Sequence, residues 1–128
     1  MRRLLSNISR LSIPTNRHLT KNSKRVLTLS GFSNTYIKVG GLSELCKRSQ
    51  PQQRPFYAAQ KIPPFVSMVY EAFGARRMMC GSNYPPVSQK EGYANALNYL
   101  REHLSGFCGA EESEWIMGKT AQSVFKFI

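Results

Sequence analysis

Few side chains in this sequence could do chemistry. Cys46, Cys80 and Cys108 are widely spaced and form no C-x-x-C pair. That pattern suits neither a disulfide scaffold nor a structural zinc site, and it predicts reduced thiols inside a cell. The two histidines are His18, in a basic leader, and His103, in a helical stretch. Zinc needs three or four clustered ligands, so both histidines read as surface or packing residues. Gly81-Ser82-Asn83-Tyr84-Pro85-Pro86 is the most distinctive run. An amide such as Asn83 accepts hydrogen bonds or ligates weakly, but it cannot serve as a base near neutral pH.

Periodicity gives the helices and strands that carry these residues. Leu19, Val26, Leu27 and Leu29 suggest a short helix over 19–30 that Gly31 ends. Asn34–Val39 is β-branched and aromatic and reads as a strand, ended by Gly40-Gly41. Residues 47–61 are polar, with Pro51 and Pro55, and read as a loop. Pro63-Pro64 suits a first helical turn, and Ile62, Phe65, Val66, Val69 and Phe73 then make one apolar face before Gly74. Arg77–Ser82 is a short, mostly apolar strand.

Ser88-x-x-Glu91 is expected to be a capping box that opens a helix bearing Tyr93, Ala96, Leu97, Leu100 and Leu104. Gly106 and Gly109 stop that helix, and Glu111, Glu112 and Glu114 favour the start of the next. Ala121, Val124, Phe125 and Ile128 give a last apolar face. Two strands joined by a crossover helix make a parallel βαβ unit, which needs cover on both faces.

The 128 residues are room for one domain, about half of the roughly 250 that a complete (β/α) barrel needs. A content of 41% hydrophobic and 20% charged residues excludes wholesale disorder. No stretch is long and apolar enough to predict a membrane-spanning helix. The net charge of +11 is uneven: residues 1–43 carry +8 with no acid, and residues 44–128 carry +3.

Residues 1–18 place Leu4, Leu5, Ile8 and Leu11 at helical spacing among arginines and serines. This is the composition of a mitochondrial transit peptide or of a frayed basic end. No aromatic precedes Phe32, so the basic stretch lacks a stacking platform and nucleic-acid binding is not expected.

Phe73-Gly-Ala-Arg-Arg-Met-Met-Cys-Gly-Ser-Asn-Tyr-Pro-Pro-Val87 resembles the last barrel strand of the amidohydrolase-related family, usually F-G-x-x-R-h-M-h-G-S-D-h-P (h, hydrophobic). Tyr36-Ile-Lys-Val-Gly-Gly-Leu42 is similar to the preceding strand, V-Y-x-K-h-S-G-L. Ile116-Met-Gly-Lys-Thr-Ala-Gln-Ser-Val-Phe125 is similar to the closing helix, h-h-G-x-N/T-A-x-x-h-h. The three motifs occur in order across residues 19–128.

The resemblance implies an α/β fold: a partial (β/α) barrel with the last two parallel strands and their flanking helices, preceded by a leader over 1–18. It also implies a metal-dependent hydrolase that uses a divalent metal on a small-molecule substrate, by lactone or amide hydrolysis or by decarboxylation. Asn83 stands where the family usually has the catalytic aspartate, although some branches read Ser-Asn-h-Pro. Lys38 and Tyr84 are the candidate substrate-binding residues. Cys80 is expected to pack where the family prefers an aromatic, and Trp115 to lie in the core.

The family's H-x-H and middle-strand histidines have no counterpart here, so no metal site can be assembled from this chain alone. A C-terminal piece of a hydrolase, inactive alone, cytoplasmic and prone to self-association through its open half-barrel, is the resulting expectation. The alternatives are a small basic organellar protein, mitochondrial through residues 1–18 or associated with nucleic acid, and a piece with no independent role.

Overall fold

A computed structural model describes residues 4–7, 24–40, 64–89 and 92–127. Its elements are strand β1 (Leu4–Asn7), helix α1 (residues 24–28), strand β2 (Thr35–Gly40), helix α2 (Phe65–Phe73), strand β3 (Met78–Gly81) and helix α3 (Tyr93–Ser105). A last helical run comprises α4 (Ala110–Glu114), a π turn (Trp115–Lys119) and α5 (Thr120–Val124). The predicted loop over 47–61, Ile62, Pro63, Glu91 and Ile128 lie outside the described residues.

The sheet is parallel throughout, in the order β1-β2-β3. The pairing of β2 with β3 across α2 matches the expected βαβ arrangement. β1 was not expected. Its leucines suggest a helical face, yet Leu4 pairs with Thr35 and Asn7 with Lys38. Edge pairing satisfies a row of backbone groups on both strands, whereas a short helix is marginal by itself in water.

Burial along β2 alternates with the period of a strand. Thr35, Ile37 and Val39 are buried, Tyr36 is half-buried and Lys38 is exposed. Ile37, Val39 and Met78 join a core with Phe65, Val66, Val69 and Phe73 of α2 and Leu100 and Leu104 of α3. That helix-covered face holds the core, and Lys38 stands on the other face. The apolar residues expected on α2 from Phe65 onward are those buried.

Two local expectations fail. Ser88 does not cap a helix; its hydroxyl donates to the Pro85 carbonyl at 2.7 Å inside a 3-10 turn over Pro86–Gln89. α3 begins at Tyr93 after Gly92, whose φ of 84° suits glycine. Tyr93 and Phe125, expected on apolar faces, are 53% and 43% exposed. The acidic cluster acts as expected: the Gly109 N–H donates to the Glu112 carboxylate at 3.0 Å, at the start of α4.

Two contacts lock β3 to its surroundings. Arg77 donates from Nε to the Phe73 carbonyl and from Nη1 to the carbonyls of Ser30 and Phe32, at 3.1, 2.9 and 3.0 Å. The buried Thr120 hydroxyl donates to the Ala75 carbonyl at 3.0 Å. No helix among the described residues is long and apolar enough to cross a membrane.

Candidate functional site

Parallel β2 and β3 end side by side, with Gly40 opposite Gly81. Gly40 requires glycine because backbone faces it, whereas at Gly81 a side chain would have to displace the Lys38 stem. A Cβ on Gly40 would lie 2.0 Å from the Gly81 carbonyl oxygen, and one on Gly81 would lie 2.6 Å from Lys38 Cε. The Lys38 stem therefore runs across Gly81 toward the carboxyl end of β3, burying methylenes while its head stays exposed. No acidic side chain pairs with Lys38 among the described residues.

Immediately beyond β3, Asn83 takes a φ of 59°. Asparagine enters this left-handed region more readily than most residues, because its short amide can bond locally. Its carbonyl accepts the Val87 N–H at 3.1 Å, and the Tyr84 N–H donates to Ser82 Oγ at 3.3 Å. The Tyr84–Pro85 bond is cis, and the Tyr84 side chain is 67% exposed. Of the three residues singled out from sequence, Lys38 and Asn83 thus share one end of the sheet. Tyr84 follows them but projects into solvent.

Cys80 sits on the core-facing side of β3. Burial pushes its thiol up to about 11, against the pull of the Arg101 and Lys38 charges. It is a packing thiol, not an activated nucleophile. Trp115 packs against the core as expected, with the Arg76 guanidinium 4.1 Å from its ring centre. His103 is on α3 among packed side chains, and His18 lies outside the described residues.

One position the sequence did not reveal is Asn7. It ends β1 in register with Lys38, so a third strand end borders the same edge. Only an extended reading of Leu4–Asn7 would have exposed it, and four residues are too few to establish a period.

Over residues 19–127 the sequence matches the family model described as amidohydrolase. The chain belongs to the amidohydrolase family. No curated protein matches it. Among solved structures, a zinc-bound amidohydrolase from Burkholderia multivorans superposes with a TM-score of 0.73 at 19% identity. That match covers 94% of this chain and 43% of the other. A crystal form of an amidohydrolase from the same organism with bound HEPES gives 0.72, with the same identity and coverage. A Pseudomonas putida protein named as a 2-pyrone-4,6-dicarboxylic acid hydrolase gives 0.63 at 21% identity, covering 95% and 42%.

At these identities the likeness establishes fold: this amidohydrolase-family chain has part of a (β/α) barrel. It spans less than half the length of the structures it matches. Zinc is bound in the first of those structures. Among the described residues here, no three His, Cys, Asp or Glu side chains stand together to hold a metal. The described donor set does not fit such an ion.

Proposed function

We propose that this chain supplies the last two strand ends of an amidohydrolase-type site and does not turn over substrate alone. Lys38 and Tyr84 bind a small molecule, and Asn83 holds the reacting carbonyl or water by hydrogen bonds from its amide. The intact reaction is hydrolysis of a lactone or amide, or decarboxylation. The observation that carries this reading is the Lys38 stem laid across Gly81, which brings a cationic head to the strand end that Asn83 follows. A cation there attracts a substrate oxygen. Asn83 cannot move a proton as aspartate would, and we derive no step through a metal. The free thiols Cys80 and Cys108 support a cytoplasmic setting.

The test is a lactone panel with purified chain and added zinc or manganese. The expected result is no turnover above buffer. Metal-dependent turnover that disappears in Asn83→Ala would overturn the proposed inactivity. The reading of an organellar or nucleic-acid-associated protein has less support, because part of its basic leader is committed to the sheet as β1.

A further inference from the structure

A separate hollow lies on the helical layer, between α3 and the π turn. Its volume is about 420 Å³, it is open to solvent, and Met117 lines it beside Gly118 and the polar Arg101, Ser113, Glu114, Lys119 and Gln122. Three features of this place are unexplained by packing. The first is Gly118. Glycine is a poor helix former, and a close neighbour often explains one inside a helix. Here nothing lies within 4 Å of where its Cβ would stand. The missing side chain leaves open space, and that space belongs to the hollow.

The second feature is the π turn itself. Trp115–Lys119 is wound wider than the α-helices on either side. Such turns are rare and recur at functional sites. The third is charge. Lys119 is paired with Glu114. Arg101 donates from one nitrogen to Asn98 Oδ1 at 3.2 Å, and no carboxylate pairs with it among the described residues. A guanidinium carries five N–H donors in a planar fork, so most remain available. The Ser113 hydroxyl and the Gln122 amide add neutral donors around the same space.

One cation with no carboxylate partner among the described residues, flanked by neutral donors over an open glycine, suits an acceptor-rich anion. We propose that this hollow binds a small oxyanion, a phosphate or a carboxylate, at a site apart from the strand ends. Arg101 grips the oxygens in a fork, and Ser113 and Gln122 donate to those that remain. Glu114 restrains affinity by neutralising Lys119. The assignment does not depend on the proposed catalytic reading.

The full chain, labelled for amide NMR, is titrated at constant ionic strength with inorganic phosphate, with succinate, and with chloride as control. Saturable shifts at Gly118, Lys119 and the Arg101 side chain are expected with phosphate, succinate or both, and not with chloride. The comparison of the first two arms identifies the anion. Arg101→Gln should weaken binding about tenfold, the loss of a charge-assisted fork. Glu114→Gln should tighten binding about threefold by releasing Lys119. Gly118→Leu fills the space without meeting a neighbour, so it should keep the circular dichroism spectrum and abolish the shifts. Identical responses to all three salts, or saturable binding that survives both Arg101→Gln and Gly118→Leu, would overturn the proposal.

Discussion

His103 presents its ring edge-on to Phe107, with centroids 5.5 Å apart. Its Nε2 is buried and has no hydrogen-bond partner among the described residues. Burial penalises the imidazolium and holds the group below its ordinary 6.5. The sign of the effect on stability follows. The unfolded chain takes up a proton at a higher pH than the folded one, so the contribution is complete above the unfolded value and is lost as pH falls through it. The urea midpoint should therefore drop as pH falls below the ordinary 6.5, and His103→Leu should flatten part of that slope. An unchanged slope in the variant would remove His103 from the account. From sequence this histidine reads as a surface or a packing residue; its ring contact with Phe107 and its buried nitrogen depend on the fold. Asn83 divides in the same way. Its identity and its Gly-Ser-Asn setting were readable, whereas its left-handed backbone depends on the turn through Val87.

At the scale of elements, F-G-x-x-R has a mechanical meaning. Phe73 closes the buried face of α2, and Gly74, with φ 73° and ψ 158°, turns the chain out of it. Arg77 then ties the end of α2 to the segment before β2. Replacing Arg77 with methionine removes a donor from three carbonyls, of which that of Phe32 keeps the Thr35 N–H, and a loss of about 2 kcal/mol is expected, since hydrogen bonds to charged groups contribute about 1.5–3 kcal/mol. Arg77→Lys should not fully restore it, because one nitrogen cannot stand both where Nη1 reaches Ser30 and Phe32 and where Nε reaches Phe73. Thr120→Val should cost about 0.5–1.5 kcal/mol by removing one of two donors to the Ala75 carbonyl, which keeps the Met78 N–H, while Thr120→Ser retains the bond. Denaturant midpoints of the four variants check both statements; full rescue by lysine would contradict the fork. α2 and β3 were legible because each combines a clear period with glycine or proline at its ends. β1 was not, because its extended form comes from the edge of β2 and not from its own pattern. The start of α3 was misread because Ser88 bonds within its own 3-10 turn, and that local bond competes with helix capping.

For the molecule as a whole, the sheet has two outer edges, on β1 and on β3, that no strand covers among the described residues. Uncovered edges are templates for pairing. The net charge of +11 opposes close approach of two copies. Self-association is therefore expected to grow with added salt, which screens the repulsion and leaves edge pairing and apolar contact in place. Sedimentation at low and high salt tests this; a monomer under both conditions would contradict it. The barrel class was legible because three motifs occur in order, but the number of strands was not, since β1 lies outside them. The clasp made by Arg77 also bears on synthesis. A chain leaves the ribosome amino end first. The carbonyls of Ser30 and Phe32 wait for a guanidinium 47 and 45 residues downstream. During that interval β2 can hold only its earlier neighbour, so the nascent chain passes through a stage with its second edge bare. Chaperone demand should concentrate in that window, and it closes only when β3 has been made.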